Sequence, residues 1–597
     1  MSTPSSPHIL PIDLGGIYPD LVGVPLEING KRSLSARPDR YKQHGFHFNA
    51  DNCIGCHACE AACAEKNNLP SHLAFRKVGF LEGGSYPEMV RINISMACNH
   101  CEDPVCLKGC PTLAYTKFVE YGAVLQDPDI CFGCGYCTWV CPYNAPVLDP
   151  VRGEVQKCNM CVDRLEDGLK PSCVAACLSN ALNFGVIGEV PVGQSQAKQM
   201  IIGFPDPAIT RPNIRFQQTR SLPAQFMHAG KDPFLYEKDH PKDDHFHVRP
   251  ISEPTKGWGL NQLHSREDSL VQFTLLYQMV MASFLLLFLF PKHSNVMGNI
   301  MTGHSETVNG MLCVLLGLQF LGMFVSTMHL GKPQFFYRAI NNLRHSWISR
   351  EILTTGTFFG LLAGYTGVTM FPPLTAWLPV EMASMLSEAI GWGATVMGPL
   401  GLYCMYRCYR IAARPFWNHW HTAGAFCASA LILGSLVVGL ILGGALWLEG
   451  SQEILPLLGL LAIPLVLGLI LQAASLFFHI RHIKERGEEA SVSYVLMTTR
   501  YGKTTLARLV GVGTLTLLSV IFTIGAIPSG GWGLVLWGTM WAAAIASEIV
   551  GRALFYVLVI PTTIPGAFFW GNKAFEAHAR KTGLADLPQV GVIPMGH

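Results

Sequence analysis

The sequence predicts two domains of different class: a cysteine-rich α+β domain, then an all-α membrane bundle of eight transmembrane helices. Three observations predict it. Half of the 597 residues are apolar, only 14% are charged and the mean hydropathy is +0.29, too greasy for a soluble chain of this length. Sixteen of the 20 cysteines fall at or before Cys177. Nearly all the long uncharged runs come after Ser269.

The net charge of +2 and the lack of any polybasic block argue against nucleic acid as a partner. Residues 1 to 16 are rich in Ser and Pro, with no basic-then-apolar leader pattern and no twin-arginine pair, so nothing there asks for export of the first domain.

The sixteen cysteines form four groups: Cys53, Cys56, Cys59 and Cys63; Cys98, Cys101, Cys106 and Cys110; Cys131, Cys134, Cys137 and Cys141; and Cys158, Cys161, Cys173 and Cys177. The first and third match the bacterial ferredoxin run C-x2-C-x2-C-x3-C, and Pro142 follows the third. Two intervening residues let a short loop wrap an iron-sulfur cube so that thiolates reach three irons, while the fourth Cys points away to the other cluster of a pair. A zinc site needs isolated C-x2-C pairs that close a tetrahedron, which runs of four do not supply. A radical S-adenosylmethionine site wants C-x3-C-x2-C, and no cysteine follows Cys63 at the required place. The first domain is therefore an α+β polyferredoxin, two bacterial-ferredoxin-like modules, expected to hold four [4Fe-4S] clusters.

With CNHCEDPVC from Cys98, CFGCGYCTWVCPYNAP from Cys131 and KCNMCVDRLEDGLKPSCVAAC from Lys157, the stretch from about 46 to 185 resembles the iron-sulfur subunit of the dimethyl sulfoxide reductase family, shared in outline with nitrate reductase, formate dehydrogenase and polysulfide reductase beta subunits. The resemblance implies a pseudo-symmetric pairing. One cluster would sit on Cys53, Cys56, Cys59 and Cys177, and a second on Cys158, Cys161, Cys173 and Cys63. A third would sit on Cys98, Cys101, Cys106 and Cys141, and the fourth on Cys131, Cys134, Cys137 and Cys110. It further implies that the cluster on the third group lies nearest the membrane and the one on the first group nearest a catalytic partner. Some nitrate reductase relatives replace one cysteine of the third group by Trp and hold a [3Fe-4S] cluster; Cys134 stands there in this chain, so four cubes are expected.

From 191 to 267 the chain turns polar and rich in Pro, Asp, Lys and His, which suits a docking extension and linker. His240, His245 and His247 read as part of a solvated linker. The expected division is an N-terminal extension over 1 to 45, the cluster domain over 46 to 190, this linker, and a membrane anchor over 268 to 597.

Eight apolar runs of about 20 residues follow, at roughly 269 to 290, 309 to 329, 351 to 371, 388 to 406, 421 to 447, 455 to 479, 506 to 527 and 532 to 559. An even number puts both ends on one side. The loops after the second, fourth and sixth runs and the tail carry 4, 3, 5 and 3 Lys or Arg, whereas the opposite loops carry only Lys292. By the positive-inside rule the cluster domain and both termini face the cytoplasm of a bacterial inner membrane.

Ionisable residues in such runs are costly and mark function by default. His329 closes the second run, Arg338 follows in its loop and Glu351 opens the third. Glu548 and Arg552 stand at i and i+4, where they can neutralise each other. On HLGKP from His329, RAINNL from Arg338, SREI from Ser349 and SEIVGRALFY from Ser547, this half resembles the eight-helix anchor of the same family. That resemblance implies a quinone site at His329, Arg338 and Glu351. Those residue types suit the chemistry, since His or Arg hydrogen-bonds a carbonyl oxygen and a carboxylate relays protons.

A haem would need axial histidines within facing helices. His419, His421 and His479 read as lying at helix ends, so no haem is expected. Cys313, Cys404, Cys408 and Cys427 read as small hydrophobes. No stretch can form a molybdopterin domain, so substrate chemistry is expected in a separate molybdopterin-containing catalytic subunit. This chain is then a non-catalytic electron carrier and anchor between that subunit and the quinone pool.

Within the family the sulfite-oxidising complex keeps its iron-sulfur domain in the cytoplasm while the enteric sulfoxide reductase is exported, so the inferred topology favours sulfite oxidation with quinone reduction. Quinol-driven reduction of a sulfoxide or polysulfide is the alternative, and a purely structural tether is an alternative of another class. An ion pump would need a file of ionisable residues through the membrane, and the first seven runs offer almost none.

Overall fold

The computed structural model describes residues 27–28, 31–32, 39–70, 72–189, 198–227, 234–240, 246–251, 256–524 and 531–562. Most of the N-terminal extension, His245 and the basic tail used in the charge count lie outside the described residues.

The cluster domain opens with β1 (His44–Asn49), whose six residues are all buried. After it come α1 (Ala58–Lys66), β2 (Lys77–Gly83), β3 (Val90–Met96), α2 (Val105–Gly109), the hairpin β4 (Tyr115–Lys117) and β5 (Val124–Gln126), and α3 (Tyr136–Val140). A second hairpin, β6 (Val147–Asp149) and β7 (Glu154–Gln156), leads to α4 (Val162–Glu166), α5 (Ser172–Ala175) and β8 (Leu182–Val186). The helices are short because each begins inside or just after a cysteine loop. Gly133 and Gly135 take φ of 77° and 76°, a region open to Gly at no steric cost, and this curls the backbone around Cys131, Cys134 and Cys137.

The polar extension is more than a linker. Within it β9 (Ile214–Gln217) pairs parallel with β1, opposite antiparallel β8, in a three-stranded sheet. Then β10 (Gln225–Met227), β11 (Phe234–Glu237) and β12 (His247–Pro250) extend the β2–β3 pair to a five-stranded antiparallel sheet. The buried Phe46, Phe48, Phe216 and Phe226 explain this: the apolar residues of the extension are few but alternate, as half-buried strands require. His247 Nε2 lies 3.3 Å from Asp239, an ion pair at the surface.

The described residues from Asp268 onward form mainly helices: α6 (Asp268–Leu289), α7 (Asn295–Gly303), α8 (Ser305–Thr327), α9 (Trp347–Met370), α10 (Val380–Cys408), α11 (His421–Leu448), α12 (Ile454–Arg486), α13 (Glu488–Thr498), α14 (Gly502–Thr523) and α15 (Gly531–Val557). Among the described residues, six helices (α6, α8, α11, α12, α14 and α15) are long and apolar enough to cross a membrane. The third and fourth runs fold as α9 and α10, which have the length but are diluted by Thr, Gly, Ser and Tyr. α6 and α11 are enclosed by their neighbours, whereas α14 and α15 turn most of their apolar surface outward. Val510 and Leu517 on α14 and Val535 on α15, with Phe320 on α8 and Leu467 on α12, form an outward apolar surface that suits acyl chains as solvent.

Candidate functional site

Each cysteine loop brings three thiols together and a distant segment supplies a fourth. Cys53, Cys56, Cys59 and Cys177 line one cavity, and Cys98, Cys101, Cys106 and Cys141 line another. Burial, then the nearby Cys158, Cys173 and Cys161, push the Cys63 thiol well up. Burial, then Cys134, with Cys110 and Cys131 also contributing, do the same to Cys137. Burial alone carries most of the rise of Cys59 and Cys141 to about 11 and of Cys158 to about 12. Such thiols keep their protons at neutral pH unless a metal cation compensates the thiolate, as iron does.

The surroundings fit an anionic iron-sulfur cluster. Arg76 is 2% exposed, its Nη1 donates to Ser95 Oγ at 3.1 Å, and that Oγ lies 3.4 Å from Cys59 Sγ. Its Nε and Nη2 are buried without hydrogen-bond partners. The guanidinium feels the combined pull of Cys173, Cys59, Cys158 and Cys63 and so stands between two of the quartets. Lys117 Nζ donates to the carbonyls of Cys101 (3.0 Å) and Glu102 (2.9 Å), and burial lowers its pKa to about 8. The spacing of the cysteines does not reveal these cations. In the sequence Arg76 looks like any other surface arginine.

The Cys131–Cys141 loop rests on the helical domain. Gly331 N donates to Gly133 O at 3.3 Å and Lys332 N to Phe132 O at 3.0 Å. Arg266 Nη2 donates to both Gly133 O (3.4 Å) and His329 O (3.3 Å). Tyr136 Oη donates to Cys408 O (2.8 Å), Arg414 Nη2 to Thr138 O (3.0 Å), and Trp139 packs edge-on against Trp417 with centroids 5.2 Å apart. The Cys106–Pro111 loop sits beside it, with Asn342 Nδ2 donating to Cys110 O at 2.8 Å and Ser346 Oγ to Gly109 O at 3.0 Å.

The three residues of the expected quinone site gather around this contact without touching one another. α8 ends at Thr327, so His329 lies just past the helix rather than closing it, in the turn that abuts Gly133. Its Nδ1 is buried and no hydrogen bond of standard geometry reaches it. Arg338 Nη1 donates to Asp129 O at 2.6 Å, and its guanidinium lies 4.2 Å over Phe335. Glu351, in the first turns of α9, accepts from Cys408 Sγ at 3.2 Å, and the carbonyl of that same Cys408 takes the Tyr136 hydroxyl. Cys408 is thus more than a small hydrophobe.

A second polar cluster lies among α6, α11, α12, α14 and α15. Ser429 Oγ donates to Glu548 (2.6 Å) and accepts from Arg552 Nη2 (3.4 Å), which also donates to Gln278 Oε1 at 3.0 Å. Glu548 and Arg552 are therefore coupled through Ser429. With Arg508, His421 and His479 they line a cavity of about 60 Å³. Arg508 is a charge on α14 that the sequence reading passes over, although an arginine so near the start of an apolar run signals it.

Four-cysteine cradles seated on apolar helices define an iron-sulfur electron-transfer protein with its own membrane anchor. Comparison with known proteins agrees in both halves. Residues 90–187 match the 4Fe-4S dicluster domain, and residues 262–558 match the DMSO reductase anchor subunit (DmsC). One polypeptide of the anaerobic dimethyl sulfoxide reductase of Escherichia coli is 38% identical over 180 residues, which is 29% of this chain and 87% of that one. One subunit of the sulfite dehydrogenase of Allochromatium vinosum is 39% identical over 154 residues, covering 22% of this chain and 64% of that one. The iron-sulfur subunit of the nitrate-inducible formate dehydrogenase of E. coli is 34% identical over 159 residues, covering 24% and 54% respectively. This protein belongs to the DMSO reductase family and joins that family's iron-sulfur subunit and membrane anchor in one polypeptide.

Proposed function

We propose that this chain carries electrons between a molybdopterin-containing catalytic subunit and the quinone pool, through four [4Fe-4S] clusters held by the four quartets named above. The clusters supply one-electron carriers; the chain's own residues set where they sit and what they face. The observation that carries the reading is Arg266, whose one nitrogen holds Gly133 of a cysteine loop and His329 of the membrane domain together. A quinone beside this turn would meet His329 as hydrogen-bond partner for one carbonyl oxygen and Arg338 near the other. Glu351 would deliver protons, since reduction of a quinone takes two electrons and two protons. Phe336 and Tyr337, 55% and 58% exposed, offer apolar surface for its ring and tail.

In this reading α9 and α10 complete an eight-span bundle. Their 24 and 29 residues make helices of roughly 36 and 43 Å, against a hydrocarbon core of about 30 Å. Both ends then lie on the cytoplasmic face, with the basic loops. That orientation favours sulfite oxidation with quinone reduction. The extent of the match to a dimethyl sulfoxide reductase polypeptide favours the opposite flow, from quinol to a sulfoxide. Assay of the purified complex with sulfite and with dimethyl sulfoxide separates them, and inactivity with sulfite removes the first.

The test of the conduit is low-temperature EPR of membranes containing the chain, reduced with dithionite and then given a quinone analogue. Coupled [4Fe-4S] signals that reoxidise, and that stop doing so in His329→Ala with iron content unchanged, are expected. Signals indifferent to quinone leave the anchor a tether only.

A further inference from the structure

Four histidines meet where α11 leaves the loop under the cysteine domain and α12 passes beside it. α12 runs on to Arg486, so His479 lies inside it and not at its end, and its ring stacks on that of His421 with centroids 3.3 Å apart and planes 14° apart. His419 stacks on His482 at 4.1 Å and lies 5.5 Å from His421. His421 and His479 are 7% and 2% exposed. Nδ1 of His421, both ring nitrogens of His479 and Nε2 of His482 are buried with no hydrogen-bond partner. Stacked imidazoles packed against apolar helices, with four nitrogens facing nothing, are an unusual arrangement, because buried polar atoms in proteins are almost always paired.

We propose that His419, His421 and His479 bind a late first-row divalent cation of the zinc class, with His482 placed to join as a fourth ligand. One ligand nitrogen from each of the first three lies within 4.8 Å of the others. A tetrahedral Zn²⁺ with Zn–N of about 2.0–2.1 Å wants its nitrogens roughly 3.4 Å apart and each in-plane lone pair aimed at the ion, so binding would turn His421 and His479 out of their stack. Neutral imidazoles without thiolate or a carboxylate quartet suit zinc or copper over magnesium or calcium. A haem does not fit: two rings 3.3 Å apart leave no room for a porphyrin between them, and the adjoining cavity of about 60 Å³ is far too small for one. Arg508 and Arg552 line the adjoining cavity, and Glu548 faces both of them across it.

The ion would act as a pin. The segment entering α11 also carries Arg414, bonded to Thr138 O, and Trp417, packed on Trp139. Fixing His419 and His421 to α12 would hold the seat on which the Cys131–Cys141 loop rests.

The test uses the full complex, purified in detergent by a tag without histidines from cells grown with zinc. Elemental analysis should find about one zinc per chain beyond the iron. His421→Gln and His479→Gln should each lose that zinc with iron content and cluster EPR unchanged, which shows that the fold survives. As a measurement free of variants, Co²⁺ added to chelator-treated wild type should give the visible absorption of tetrahedral cobalt with nitrogen ligands. No zinc and no cobalt signal in the wild type, zinc retained in both variants, or a Soret band belonging to these histidines would each overturn the proposal.

Discussion

Gly133 and Gly331 meet backbone to backbone, the amide of one on the carbonyl of the other at 3.3 Å, and a methyl group on either would run into the chain opposite or into Gly153. Three glycines, from two cysteine-domain turns and one turn of the helical half, make this a contact with no room for a side chain. Gly331→Ala is expected to lift the Cys131–Cys141 loop from its seat. Quinone-linked reoxidation should slow on the order of tenfold or more while iron content holds, because small misplacements cost rate steeply. Stopped-flow absorbance of dithionite-reduced membranes mixed with a quinone analogue measures it, and an unchanged rate places electron exit elsewhere.

Cys134 belongs to the quartet next to that seat. Cys134→Ala should remove or degrade one cluster, lowering iron by up to about a quarter and cutting the path to the membrane while the clusters farther away remain reducible. Iron analysis with EPR before and after quinone checks both parts. Full quinone reoxidation with one cluster missing would break the proposed order.

Arg76 places a buried positive charge between two quartets. Replacing it by Met makes reduction of the neighbouring clusters harder, since the added electron loses a nearby cation. The midpoint potentials of those clusters should fall by about 60 mV, the equivalent of a tenfold change for a one-electron couple. Arg76→Lys should restore most of it. Redox titration followed by EPR reads the shift, and a fall shared equally by all clusters would point to a general loosening of the fold.

Glu351, hydrogen-bonded by Cys408, is the candidate proton relay. Glu351→Gln keeps the shape but removes the carboxyl that can take up and release a proton, so turnover with quinone should drop about 10²-fold with little change in the affinity for a quinone-site inhibitor. Steady-state assay with inhibitor titration separates the two. Loss of inhibitor binding with turnover intact would make Glu351 a binding residue.

Much of this was legible in the chain. The C-x2-C-x2-C-x3-C runs announce the cysteine cradles because that spacing is set locally, by how many residues a loop needs to place thiols around a cube. The apolar runs announce the helices for a similarly local reason. The limits were read less well where tertiary contacts override local pattern. α12 continues seven residues past His479 because its polar last turns run on past the apolar span, and β9 joins the cluster sheet although its surroundings in sequence are polar. Arg76 and Arg266 are ordinary arginines until the fold buries one among thiols and gives the other two carbonyls from different domains.

The sequence by itself determined the class of cofactor, the division into a cysteine-rich and an apolar half, and the places of the apolar helices, all of which depend on residues near one another along the chain. Only the tertiary structure decided which loop touches the membrane half, that Glu548 and Arg552 are coupled through Ser429, and that His421 and His479 stack. Those relations join residues from 58 to over 100 positions apart. Packing sets them, and packing has no local signature.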